Sequence, residues 1–63
     1  MNDFKTRLIA EETELSEKIE KLYDFTQSDK IDTVADFQKT MLLIQLEAMR
    51  TYWRCLVARI DAL

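Results

Sequence analysis

The sequence predicts an all-α fold: an antiparallel helical hairpin that dimerises into a four-helix bundle. Three observations carry that prediction. From Leu42 onward the large apolar residues fall at Leu42, Leu46, Met49, Trp53, Leu56, Ile60 and Leu63, a 4-3 alternation that places them on one seam of a helix. In the first part of the chain Leu8, Leu15 and Leu22 repeat every seven residues, with Ile19 at the alternate position. Period-two alternation, the mark of a half-buried strand, is absent, and the chain holds neither Gly nor Pro.

The first helix is expected over about 3–26. Its apolar residues are Phe4, Leu8, Ile9, Leu15, Ile19, Leu22 and Phe25. Glu12 and Thr26 fill the remaining seam positions, so this seam is poorer than the second. Strong helix formers occupy most other positions, and Glu14–Lys18 and Glu17–Lys21 are favourable i,i+4 pairs.

The break falls at about 27–33, Gln27-Ser28-Asp29-Lys30-Ile31-Asp32-Thr33, the densest cluster of short polar residues in the chain. Thr33 followed by Asp36 resembles a capping box for the next helix, and Ser28 is a competing cap that would shorten the loop. Without Gly the first helix is expected to end in an irregular turn around 27–29 rather than a left-handed glycine cap.

The second helix is expected over about 34–63, long enough at 1.5 Å per residue to reach ~43 Å. A short connection makes the two helices antiparallel neighbours, and residues 1–63 a single helical-hairpin domain. Beside the main seam, Met41, Ala48, Tyr52, Cys55 and Ala62 form one apolar flank, and Leu43 and Val57 widen the other side. One partner helix cannot cover a face that broad. A chain of 63 residues is also marginal alone, and it has one cysteine and no histidine, so neither an internal disulfide nor a structural zinc site can reinforce it. A homodimer is the remaining remedy.

Composition narrows the function classes. Net charge is −3, with seven acids against four bases over 1–26 and two against three over 41–63. That favours two segments lying side by side and argues against a nucleic-acid footprint, which requires a basic stripe. No apolar run approaches the ~20 residues of a membrane span. The start Met-Asn-Asp-Phe-Lys lacks a signal-peptide pattern, and the unpaired Cys55 suits a reducing compartment. The expectation is a cytoplasmic protein with no membrane partner.

Few residues invite a chemical role. Cys55 has no histidine to activate it and sits on an apolar flank, so it is read as packing. The acids Glu11, Glu12, Glu14 and Glu17 spread around a helix surface as solvated charge rather than as metal ligands. Met41 and Met49 are core filler. Trp53 is read as a core or dimer anchor, with Tyr52 at the seam's edge. Against that, Arg50, Arg54 and Tyr52 could form a cation–π contact for an anion or a partner. Arg50 and Arg54 are like charges at i,i+4 and need a facing acid: a glutamate of the first helix, or an anionic ligand. No catalytic residue, cofactor or metal site is assigned.

Over nearly its whole length the chain resembles small phage proteins related to an open reading frame of crAss-like phages. The resemblance rests on Glu17-Lys18-Ile19-Glu20-Lys21-Leu22, an aromatic at Phe25, the turn Ser28-Asp29-Lys30 with an apolar residue at Ile31, and Gln45-Leu46 with Ala48-Met49, then Tyr52 and Arg59-Ile60. Trp53 and Cys55 depart from the usual polar or aliphatic residues. The chain is also similar to a small early protein of the exo–xis region of lambda and related phages. These resemblances imply a non-catalytic phage accessory protein, made early in lytic growth, that alters host cell-cycle behaviour and the lysis–lysogeny choice.

The leading expectation is therefore a dimer that binds a host or phage protein through the helix face left exposed. Two alternatives stand beside it. One is a sponge that holds an anionic defence nucleotide between subunits through Arg50, Arg54 and Tyr52. The other is a small DNA-associated regulator, which the net charge disfavours.

Overall fold

The computed structural model describes residues 3–63; Met1 and Asn2, part of the stretch read above for a signal-peptide pattern, lie outside it. Two long helices, α1 (Asp3–Thr26) and α2 (Asp36–Asp61), are joined by a 3-10 turn over Asp29–Thr33. The chain is all-α, and it folds as a helical hairpin. Contacts between the helices give the direction. Phe4 meets Arg59, Glu12 meets Trp53 and Tyr23 meets Arg50, so positions descend along α2 as they ascend along α1. The result is a rod of 48 × 15 × 13 Å, with a radius of gyration of 14.6 Å. A compact globule of this length would have about 11 Å.

The end of α1 uses backbone and hydroxyl groups in place of glycine. The Gln27 amide donates to the carbonyls of Tyr23 and Asp24, and the Ser28 amide to that of Phe25. No described residue has a positive φ. Ser28 then serves two helices at once. Its hydroxyl donates to the Phe25 carbonyl at 2.8 Å and accepts from the Lys30 amide at 3.3 Å, capping the 3-10 turn. That turn has three residues per revolution, so Ile31 and Val34 share a side and both become half-buried.

Thr33 does not cap α2. Its hydroxyl donates to the Lys30 carbonyl at 2.7 Å, because Thr33 is the last residue of the 3-10 turn. The N-cap of α2 is Ala35, which offers no side-chain hydrogen bond, and the acid Asp36 in the first turn offsets the helix dipole instead.

The core is a single seam. Leu8, Leu15 and Leu56 are buried together, with Ile19, Met49, Trp53 and Ile60 packed partly exposed around them. Leu46 is buried nearer the turn, and Leu22 and Leu42 are half-buried. Leu63 stands apart: it follows the end of α2 and is 58% exposed. Cys55 is exposed as well, not buried on a packed flank. Its position is about 100° from Leu56 and half a turn from Leu46, so it lies off the face turned to α1. No helix of the described residues is long and apolar enough to cross a membrane.

Leu56 is fully buried, so Leu56→Ala should lower stability by about 2–5 kcal/mol in a denaturant melt. Leu63→Ala, at an exposed terminus, should stay within about 0.5 kcal/mol.

Candidate functional site

One groove combines charge with aromatic surface. It runs along the junction of the helices, encloses about 400 Å³, and is lined by Ser16, Ile19, Glu20 and Tyr23 of α1 and Arg50, Trp53 and Arg54 of α2. The spacing explains the assembly. Positions 16, 19, 20 and 23 share one face of α1, and 50, 53 and 54 share one face of α2. The leucine seam turns those two faces toward each other along one edge of the hairpin.

Trp53 is held in place by the only hydrogen bond between side chains of the two helices among the described residues. Its indole Nε1 donates to Glu12 Oε2 at 2.8 Å. The carboxylate is an acid at a seam position of α1, where it would be out of place without a donor opposite. With the indole tethered there, its ring forms part of the groove wall. The bond is charge-assisted and partly solvated.

Arg50 is fixed twice. Its guanidinium lies over the Tyr23 ring, 5.5 Å from the centroid, and its Nη1 reaches Glu47 Oε1 at 3.2 Å. The acid that faces Arg50 is thus one turn back on its own helix and not a glutamate of α1. Arg54 makes no ion pair among the described residues, although Glu20 lines the same groove. Two cationic groups, two aromatic rings and one carboxylate therefore border a single open cleft.

Tyr52 is not part of it. A residue two positions from Arg50 and two from Arg54 is turned about 200° from each, so Tyr52 projects from the other side of α2 and is exposed. The grouping of Arg50 and Arg54 with Tyr52 is corrected accordingly: the tyrosine beside the arginines is Tyr23, from the opposite helix. Sequence reasoning missed Tyr23, Ser16 and Glu20. An available signal was the antiparallel pairing itself, which brings the second half of α1 within reach of the long Arg50 side chain.

A second cation–π contact, Arg59 over Phe4 at 5.9 Å, ties the free ends of the hairpin. The remaining expected seam residues lie along the core: Leu8, Leu15, Leu46 and Leu56 buried, Ile19, Leu22, Leu42, Met49 and Ile60 half-buried. No group of three or more metal-ligating side chains occurs among the described residues.

Fold and groove together define a small helical-hairpin protein with one cleft lined by cationic and aromatic side chains. The chain belongs to the Sequestin family, whose model matches residues 2–62. The family name is compatible with a sequestering, non-catalytic role. The match carries no link to crAss-like phage proteins or to the lambda exo–xis region. No curated protein and no solved structure matches the chain.

Trp53→Phe keeps a ring in the wall but removes the donor to Glu12. It should cost about 1–2 kcal/mol in a thermal or denaturant melt, less than a fully buried charge-assisted bond because both groups are partly hydrated.

Proposed function

We propose that this protein sequesters an anionic nucleotide in the groove between α1 and α2, withholding it from the receptor that reads it. The observation that carries the reading is the meeting of Arg50 and Arg54 with the rings of Tyr23 and Trp53 around one cleft of about 400 Å³. Pockets for small ligands run from roughly 300 to 1,000 Å³, so the cleft is of a suitable size.

Each part of a nucleotide has a counterpart. Phosphate oxygens accept from the guanidinium groups, which present paired donors that a lysine could not. A base stacks on the indole or on the Arg50–Tyr23 pair. The Glu20 carboxylate accepts from ribose hydroxyls, a role that an inorganic anion could not use. Aromatic stacking at about 1–3 kcal/mol per base, with charge-assisted hydrogen bonds at about 1.5–3 kcal/mol each, brackets the roughly 8 kcal/mol of a micromolar complex. Binding alone is required, with no bond made or broken. In the phage setting that the sequence resemblance implies, such a sponge lowers the free concentration of a host defence signal.

A second reading assigns the protein to a host or phage protein partner, with effects on the cell cycle and the lysis–lysogeny choice. Leu43, 56% exposed on α2, favours it. That reading expects a defined partner recovered from infected-host extract at physiological salt and lost with Leu43→Glu.

Calorimetric titration with cyclic dinucleotides and cyclic ADP-ribose isomers tests the nucleotide reading. Micromolar or tighter binding of at least one compound is expected. Affinity should fall tenfold or more with Arg54→Ala or Tyr23→Ala and weaken as salt rises, and the compound should be recovered unchanged. Silence across the panel would remove the reading.

A further inference from the structure

The core seam accounts for only one side of α2. On the side turned away from α1 a second 4-3 series runs from Phe37 to Ala62 through Met41, Ile44, Ala48, Thr51, Cys55 and Ala58. Every one of these residues is exposed, with Phe37 at 69% and Ile44 at 57%. At 1.5 Å per residue the stripe is about 38 Å long, nearly the whole helix. Its character changes along its length: three bulky apolar residues come first, then five small ones.

We infer that this stripe is the surface on which a second copy of the chain docks, with the two α2 helices antiparallel about a two-fold axis between Ala48 and Thr51. The argument is volume. With the axis there, Phe37 lies at the level of Ala62 of the second copy, Met41 at Ala58, Ile44 at Cys55, and Ala48 at Thr51. Large meets small at three of the four levels, and the two small residues Ala48 and Thr51 meet nearest the axis, where they let the helices approach; that is how facing side chains interdigitate without overlap. Parallel pairing would set Phe37 against its own equivalent at one end and Ala62 against its own at the other, crowding the first and leaving the second empty.

Charge on the borders of the stripe points the same way. In the antiparallel arrangement Glu47 and Arg54 of the second copy border the same edge of the stripe, offset by only about 3 Å along the axis, and symmetry repeats the attraction. In a parallel pair the flanking positions that meet are five residues apart, which brings Arg54 toward Arg59 of the second copy. Two such repulsions disfavour it. The interface also covers Cys55 and the exposed Met41, the flank that the hairpin alone leaves in water. The inference does not depend on the nucleotide reading.

Sedimentation equilibrium, with a short thiol-to-thiol cross-linker, tests it. The wild-type chain should sediment at twice its 7.5 kDa mass. Ala48→Glu should sediment at the single-chain mass with its helical circular dichroism retained, since Ala48 is exposed in the hairpin. In the dimer the two Cys55 residues stand roughly 16 Å apart, so the wild type should resist a shorter cross-linker. Ile44→Cys should become covalently dimeric, its new thiol meeting Cys55 of the second copy. A single-chain mass for the wild type at high micromolar concentration would overturn the inference. So would a dimer that survives Ala48→Glu, ready cross-linking of the wild type through Cys55, or no cross-link with Ile44→Cys.

Discussion

The register of α1 against α2 is set by Leu8, Leu15 and Leu56, and the rest of the molecule follows from that setting. Two helices share only one seam, so each side chain of α2 has its surroundings fixed by its angle from the centre of the seam that runs through Leu42, Leu46, Met49, Trp53, Leu56 and Ile60. Residues next to the seam on one edge, Arg50 and Arg54, are carried to the cleft with Tyr23. Residues on the opposite flank, the series from Phe37 to Ala62, face water. A slip of one heptad would keep the leucines paired but would part Trp53 from Glu12 and Arg50 from Tyr23. The 2.8 Å hydrogen bond between Trp53 and Glu12 therefore adds a polar constraint to the register that the leucines set.

Much of this was legible in the residue pattern. The seven-residue repeat of Leu8, Leu15 and Leu22 and the 4-3 series from Leu42 specify helices, and the polar cluster after Thr26 specifies the break between them. The 3-10 turn was less legible. Thr33 and Asp36 satisfy the capping pattern locally, but Ile31 and Val34 gain burial when the backbone tightens, and that tertiary gain decides where α2 begins. Leu63 continues the seam in spacing yet lies past the last turn of α2, where it is largely exposed.

The cleft was legible by half. Arg50 and Arg54 stand out as paired cations on one helix face. Their aromatic partner could not be found by looking along the same helix, since neighbours in sequence such as Tyr52 point elsewhere. It required the docking of two helices, which spacing within either one does not contain. Membership of the Sequestin family is compatible with a sequestering role, and the cleft supplies the chemistry on which the proposal rests. A broad apolar face on α2 was also visible in the sequence, whereas its division into a seam used within the hairpin and a stripe left outside became apparent only with α1 in place.

The proposed sequestration puts a nucleotide in the cleft between α1 and α2. Two-dimensional NMR of the labelled protein during nucleotide titration observes that place directly, through the Trp53 indole N–H and the guanidinium groups of Arg50 and Arg54. The account predicts that these signals and those of the Tyr23 ring move together and saturate. Shifts confined to the Phe37–Ala62 face, or an indole signal that stays in place while a nucleotide binds, would contradict it.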